Sequence, residues 1–306
     1  MATPYTATSN LEALKLKAWT STASSLTDVQ LLTLLEDALR SYVVPFVKRL
    51  RDEWFVSGGS TLTPNAAGRI TIPNSVGSTV RTVSWNNNGV LVPLDRIEPE
   101  SALSMLSAGG STPVGYVLKG YQLQLVPAGV GSVQVFIEFM ERPPTLVLEE
   151  SAARATATGA GSTVSLVSVP VAWQSSVPAR VDIISGESPF SVLYSDVAVA
   201  SFVATLGASS VTFSSFNAAL VTAGMWLADV DRSPFPNIPI ELHPLLQQSV
   251  ITTLFAGQGD KRLKGSMELQ QKLEADLRAT IAPRTQGSAR PIVNKSGPGW
   301  ATGRGR

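Results

Sequence analysis

A transition-metal site in this chain would have to rely on carboxylates and one imidazole. Cysteine is absent and His243 is the single histidine. Thiolate metal sites, disulfides and cysteine nucleophiles are therefore excluded, and a Ser-His-Asp triad would have to use His243 alone. His243 precedes Pro244 at the opening of an apolar-periodic segment, where a structural role near a helix N-terminus is the expectation. No G-x-S-x-G elbow accompanies it. Glu98 with Glu100, and Glu149 with Glu150, are close carboxylates with the spacing for general acid-base work. Asp229 and Asp231 would point the same way on an extended chain and could ligate a hard cation. Solvated surface acids and a turn are the plainer readings of these pairs. Lys264-Gly265-Ser266 lacks the strand and glycine spacing of a phosphate loop. The expectation is a chain that is not an enzyme, with no catalytic residue, no metal site and no cofactor.

The elements that would carry these residues begin with a helical hairpin over 239–281. Leu242, Leu245, Leu246, Val250 and Leu254 recur at three- and four-residue steps, as do Met267, Leu273, Leu277 and Ile281. Gly257-Gln258-Gly259-Asp260 breaks the helix between them, in a turn short enough to make the two rods antiparallel. An earlier helix over 27–55 opens with Thr27 and Gln30 in capping-box spacing, and Asp28 suits the positive end of its dipole. Its apolar residues cover more than half its circumference, so contact on several sides is expected, and Leu39, Tyr42, Val43 and Phe46 are candidates for contacts between subunits. Pro45 predicts a kink near Ser41. Residues 1–25 read as an arm with a short helix over 11–19.

Strands are predicted at 69–73, 80–85, 90–93, 115–118, 121–126 and 133–141, with Asn86-Asn87-Asn88-Gly89 as a hairpin turn. A helix opens at Pro99-Glu100. Between 152 and 230 charges become few, and seven short strands follow at regular spacing (154–158, 163–167, 180–185, 190–194, 197–203, 211–213 and 225–230), which suggests a small barrel or sandwich. The fold class expected is α+β: a helical-bundle core, made of the N-terminal helix and the C-terminal hairpin, with inserted β-rich segments and an extended tail. The boundaries are an arm at 1–25, a helical core at 26–57 and 237–282, a β-rich segment at 58–150, an inserted β-domain at 151–236 and a basic tail at 283–306.

With 306 residues, 15% charged and a net charge of +1, the chain can bury ample core, and no global nucleic-acid-binding surface is indicated. It has no run of about 18 apolar residues and no basic start followed by an apolar stretch, so a soluble, unexported chain with no membrane contact is expected. The tail carries Arg284, Arg290, Lys295, Arg304 and Arg306 with no acid. Pro291, Ile292, Val293 and Trp300 would be its apolar anchors on a partner.

In this order, the helix LLTLLEDALRSYVVPFVKRLRDEWF, the ITIP strand, VPLDRIEPESALSML, GYVLKGYQLQLVPAGVGSVQVFIEFMERPP and IPIELHPLLQQSVITTLFAGQGD with its second helix resemble bacteriophage head-to-tail adaptor (connector) proteins. The resemblance spans most of 26–281. It implies a structural virion protein at the head-tail junction, assembled in the host cytoplasm as a ring of 12 copies under the portal. It implies the portal protein, neighbouring copies, tail or nozzle proteins and passing genomic DNA, contacted without sequence recognition, as partners, and residues 284–306 as the portal-docking tail. A heterologous ring contact would bury apolar residues left over after each subunit folds. A tail- or fibre-associated structural protein is the alternative. A virion-associated cell-wall hydrolase using Glu98 or Glu100 stands third.

Overall fold

The structure is a computed structural model and describes residues 5–18, 26–51, 55–56, 60–72, 76–106, 110, 112–128, 133–167, 169–175, 178–203 and 209–281. The chain opens with helix α1 (Ala7–Ala18) and continues through α2 (Asp28–Ala38) and α3 (Val44–Leu50), joined by a π-helical turn at Leu39–Val43. Thr27 caps α2 as expected: its hydroxyl accepts the Gln30 N–H while the Gln30 side chain accepts the Thr27 N–H. The widened turn ends just before Pro45, whose ring crowds the carbonyl four residues earlier, at Ser41. The predicted kink is thus taken up as a π turn.

The next segment is a two-layer sandwich. Strands β1 (Ser60–Leu62), β2 (Arg69–Thr71), β3 (Val76–Asn87), β4 (Val90–Pro93) and β5 (Asp95–Arg96) precede helix α4 (Pro99–Leu106), and β6 (Gly115–Lys119), β7 (Gln122–Val126) and β8 (Val135–Glu141) follow it. One sheet runs β1-β8-β3-β4 and the other β2-β7-β6-β5. Ile70, Val83, Leu123, Leu125, Val135, Ile137 and Phe139 from both sheets share one core. The other face of the second sheet is covered by α4, where Ala102 meets Val117 and Val126. The β3-β4 turn is the predicted Asn-Gly hairpin: Asn87 pairs with Val90, and Asn88 and Gly89 both take positive φ, at 51° and 91°.

The last β unit is a barrel. Strand β9 (Thr145–Leu146) leads to β10 (Ala153–Arg154) and β11 (Thr163–Leu166). Helix α5 (Val171–Ser175) precedes β12 (Arg180–Ile184), β13 (Val192–Val203), β14 (Ser209–Phe213), β15 (Trp226–Asp229) and β16 (Arg232–Ser233). The six-stranded sheet runs β10-β15-β12-β13-β14-β11. Ala155 then bridges to Leu166, and the Val167 N–H donates to the Arg154 carbonyl, which brings the last strand back to the first. Inward residues including Val164, Val181, Ile183, Val211, Phe213 and Leu227 fill it, and Trp173 of α5 joins that core. Strands β9 and β16 pair in parallel between the sandwich and the barrel. Helix α6 (His243–Gln258) and helix α7 (Leu263–Ile281) are the last described elements, with Gly259 at φ 63° ending α6.

Two expectations are corrected. The architecture is mostly β, with four sheets, one of them a near-barrel of six strands, and is not a helical-bundle core with inserted β segments. The strands do not hang from the helices as ornaments: sandwich and barrel each bury a core of their own beside the helical one. The separate strands at 190–194 and 197–203 are one strand, β13, bent at Asp196, which takes φ 59°.

The bend has a cause. The buried Asp182 carboxylate of β12 accepts the Asp196 N–H and the Asp231 N–H, each at 2.8 Å. Asp231 also takes positive φ, at 62°. One side chain thus holds two left-handed turns, on β13 and between β15 and β16. Burial raises its pKa, and the two N–H donors act in the opposite direction. Replacing Asp182 by Ala leaves two part-buried donors without their acceptor and is expected to cost about 2–4 kcal/mol in denaturant unfolding. A loss below about 0.5 kcal/mol would contradict this role.

Candidate functional site

The expected subunit-contact residues lie where α2, the π turn and α3 meet the α6-α7 hairpin. Leu39 and Val43 are fully buried and Phe46 nearly so. They share one core with Leu31, Leu35, Leu246, Val250, Leu254 and Leu277. The extra apolar circumference read from the sequence is therefore covered within the chain, by α1, α6 and α7. Tyr42 is half-buried, and its hydroxyl donates to the Glu274 carboxylate of α7. Burial first, then this carboxylate, pushes its pKa up to about 12, although the Gln270 side chain opposes the shift. The Arg278 guanidinium lies 5.6 Å from the Phe46 ring centre. These contacts fix α7 along the earlier helix.

At the other end of the hairpin, the Gln248 amide donates to the Ser266 hydroxyl at 2.7 Å and to its carbonyl at 3.1 Å. The Thr252 hydroxyl also meets Ser266, at 2.8 Å. Arg262 binds the Asp260 carboxylate through Nε and Nη2, and its Nη1 donates to the Ala18 carbonyl of α1. Because small polar residues carry these contacts, α6 and α7 pack closely without a wide apolar stripe on α7. The sequence offered no signal for them beyond the Gln248 and Ser266 types.

His243 stands at a three-way junction. It opens α6, and its ring is 1% exposed. Its Nδ1 faces the buried Asn10 side chain of α1, 3.2 Å from Nδ2 and 3.3 Å from Oδ1. Asn10 also accepts from the Gln247 amide at 2.8 Å and donates to the Thr6 carbonyl at 2.8 Å. The Tyr5 ring lies 5.1 Å away and the Phe190 ring, from the barrel, 6.4 Å. Nε2 is buried and makes no hydrogen bond of normal geometry. Such a group ties three units together and has no room to act as a base on a substrate, which agrees with the structural role expected for it.

The carboxylate pairs do not converge. Glu98 and Glu100 are exposed at the entry to α4. Asp229 accepts from the Trp173 indole at 3.0 Å and pairs with Arg232, while the Asp231 backbone is held by Asp182. Glu149 and Glu150 line an open cavity of about 430 Å³ with Thr8, Leu11, Glu12, Lys15, Asp28 and Leu148. Lys15 is ion-paired with Asp28 there. Among the described residues no three His, Cys, Asp or Glu side chains are grouped to hold a metal ion. No helix among them is long and apolar enough to cross a membrane. The tail residues Arg284, Arg290, Pro291, Ile292, Val293, Lys295, Trp300, Arg304 and Arg306 lie outside the described residues. Asp182 and Asn10 were missed from sequence, although an acid inside the apolar run Arg180–Ile184 is a readable sign of a buried, partnered carboxylate.

Burial lowers the His243 pKa from 6.5 to about 4, against a smaller raising effect from the Ile238 carbonyl. The unfolded chain therefore binds a proton through the window from pH 6.5 to 4 while the folded chain does not. Stability from this group is complete above pH 6.5 and is lost as pH falls toward 4, by about 3 kcal/mol in all. The expected result is a His243→Gln variant whose unfolding free energy changes less over that window than the parent's. Equal pH slopes would contradict the assignment.

The chain matches no protein-family model. No curated protein matches it with significance.

Proposed function

We propose that this chain is a structural virion protein, a head-to-tail adaptor that assembles as a ring under the portal, extends the DNA channel and joins the capsid to the tail. The observation that carries the reading is the construction of the α6-α7 hairpin. Helix α6 is buried through Leu245, Leu246, Val250, Ile251, Leu254 and Phe255. Side chains of this size contribute roughly 1.5–3 kcal/mol each on burial. Helix α7, pinned to it at Ser266 and to the earlier helix at Glu274 and Arg278, runs 19 residues with few of them buried. Its last residue, Ile281, is buried again, and the basic sequence begins three residues later.

A long helix held at both ends and exposed between them suits a rigid strut better than the wall of an active site. The basic, Trp-bearing segment that follows it would be presented from a fixed point. Its five cations and Pro291-Ile292-Val293 patch suit docking on an acidic, partly apolar surface. Ring assembly supplies the many copies over which such weak contacts add.

Removing residues 284–306 ends the chain just beyond the buried Ile281, so the fold is expected to survive with an unchanged far-ultraviolet circular dichroism spectrum. Co-sedimentation with assembled portal should fall at least about tenfold, equivalent to about 1.4 kcal/mol. Portal binding equal to that of the full chain would overturn the docking role.

A further inference from the structure

Most charge in the barrel lies on one side. The stretches 155–179 and 197–228 contain no Asp, Glu, Lys, Arg or His, although at the chain's average of 15% they would hold about nine charged residues. Interior positions account for part of this, but the outward positions are uncharged too. Thr163 and Ser165 on β11 and Ala200, Ser201 and Val203 on β13 are exposed, and Ser209, Ser210 and Thr212 on β14 are half-buried. These three strands are consecutive in the sheet, in the order β13-β14-β11. At the end where Leu166 pairs with Ser209 and Val203 with Ser210, Val203 is 49% exposed, and Val167, next to Leu166, is 65% exposed.

The other half of the barrel differs. Strands β10, β12 and β15 carry Arg154, Arg180, Asp182 and Asp229, and Asp196, at the bend where β13 begins to leave this side, is ion-paired with Arg180. Their outward residues Ile184, Trp226 and Ala228 pack on Phe190, Phe235 and Tyr5, which attaches this side to the rest of the molecule. The uncharged wall is therefore the side turned away from the chain's own body.

We propose that the wall formed by residues 197–203 of β13 with β14 and β11, with its valine rim, is a contact face between copies of this chain. The inference rests on the ring reading above and adds the surface through which neighbours meet. Burying an ion costs several kcal/mol unless it is paired in good geometry, and from Val197 onward this wall has none to bury, the Asp196 carboxylate at the bend of β13 being ion-paired with Arg180. Hydroxyls can be satisfied laterally, as Thr163 and Thr212 are in each other's reach at 3.1 Å. A nucleic acid or a strongly charged protein would find no counter-charge here, whereas an uncharged surface on a second copy is matched. Three strands about 4.8 Å apart and about 17 Å long give a few hundred Å², below the roughly 800 Å² that each partner buries in a stable pair. The wall thus serves as one contact among several, as in a ring, rather than as the sole seam of a dimer.

The test is sedimentation velocity of the full chain, alone and with assembled portal, comparing the parent with Ser165→Lys/Ala200→Lys and with Thr163→Glu. Both variants alter exposed positions and should melt with the parent. Self-association is expected to weaken at least about tenfold, while Ser101→Lys on α4 leaves it unchanged. Folded wall variants that associate like the parent in both arms would overturn the wall while leaving the ring reading intact. Equal weakening by Ser101→Lys would also overturn it. A parent that stays monomeric in both arms would sink the ring reading and the wall together.

Discussion

Burial of α6 is the constraint on which the rest of the structure depends. Nine of its 16 residues are buried, and they include His243, Gln248 and Ser249 as well as apolar side chains. A helix with so little free surface needs neighbours all round, and the chain supplies them from distant sequence. The partner of His243 is Asn10, 233 positions away. Helix α1, the α2-α3 helix and α7 each cover part of α6, so none can be removed without exposing the others' core. Helix α1 packs here for this reason, although the sequence around it is rich in threonine and serine.

Buried polar groups give this packing its register. An apolar interface alone tolerates sliding; Gln248 on Ser266 and Asn10 between His243 and Gln247 do not, because a displaced partner leaves a dehydrated donor or acceptor unsatisfied. The barrel repeats the principle with Asp182, whose carboxylate replaces water for two backbone N–H groups. Its β10-β15-β12 side, attached to the body through Trp226 and Phe235, leaves the β14-β11 side facing outward. The same chain economy in charge that makes a barrel easy to pack makes its free wall easy to dehydrate.

Local signals were readable and nonlocal ones were not. The Thr27 cap, the Asn-Gly turn, the Pro45 disturbance and most strand positions follow from short-range chemistry, and each was legible within a few residues. The weight of the β-structure does not follow from the sequence, because each predicted strand is short beside the long helices. Sheet pairing, which joins Ala155 to Leu166 and Ser60 to Ile137, depends on partners that periodicity does not name. At the candidate site, the apolar excess of Leu39, Val43 and Phe46 was visible, but its covering by α6 and α7 required the three-dimensional packing. The Asn10-His243 contact was illegible for the same reason, since neither residue type nor spacing announces a partner at that separation.

Electron cryo-microscopy of the full chain bound to assembled portal tests the central claim most directly. The account predicts a closed ring beneath the portal, one chain per repeat, with α7 directed so that the chain end leads toward the portal and barrel walls meeting at the seams. Isolated copies scattered on the portal, or no density beneath it, would contradict the account.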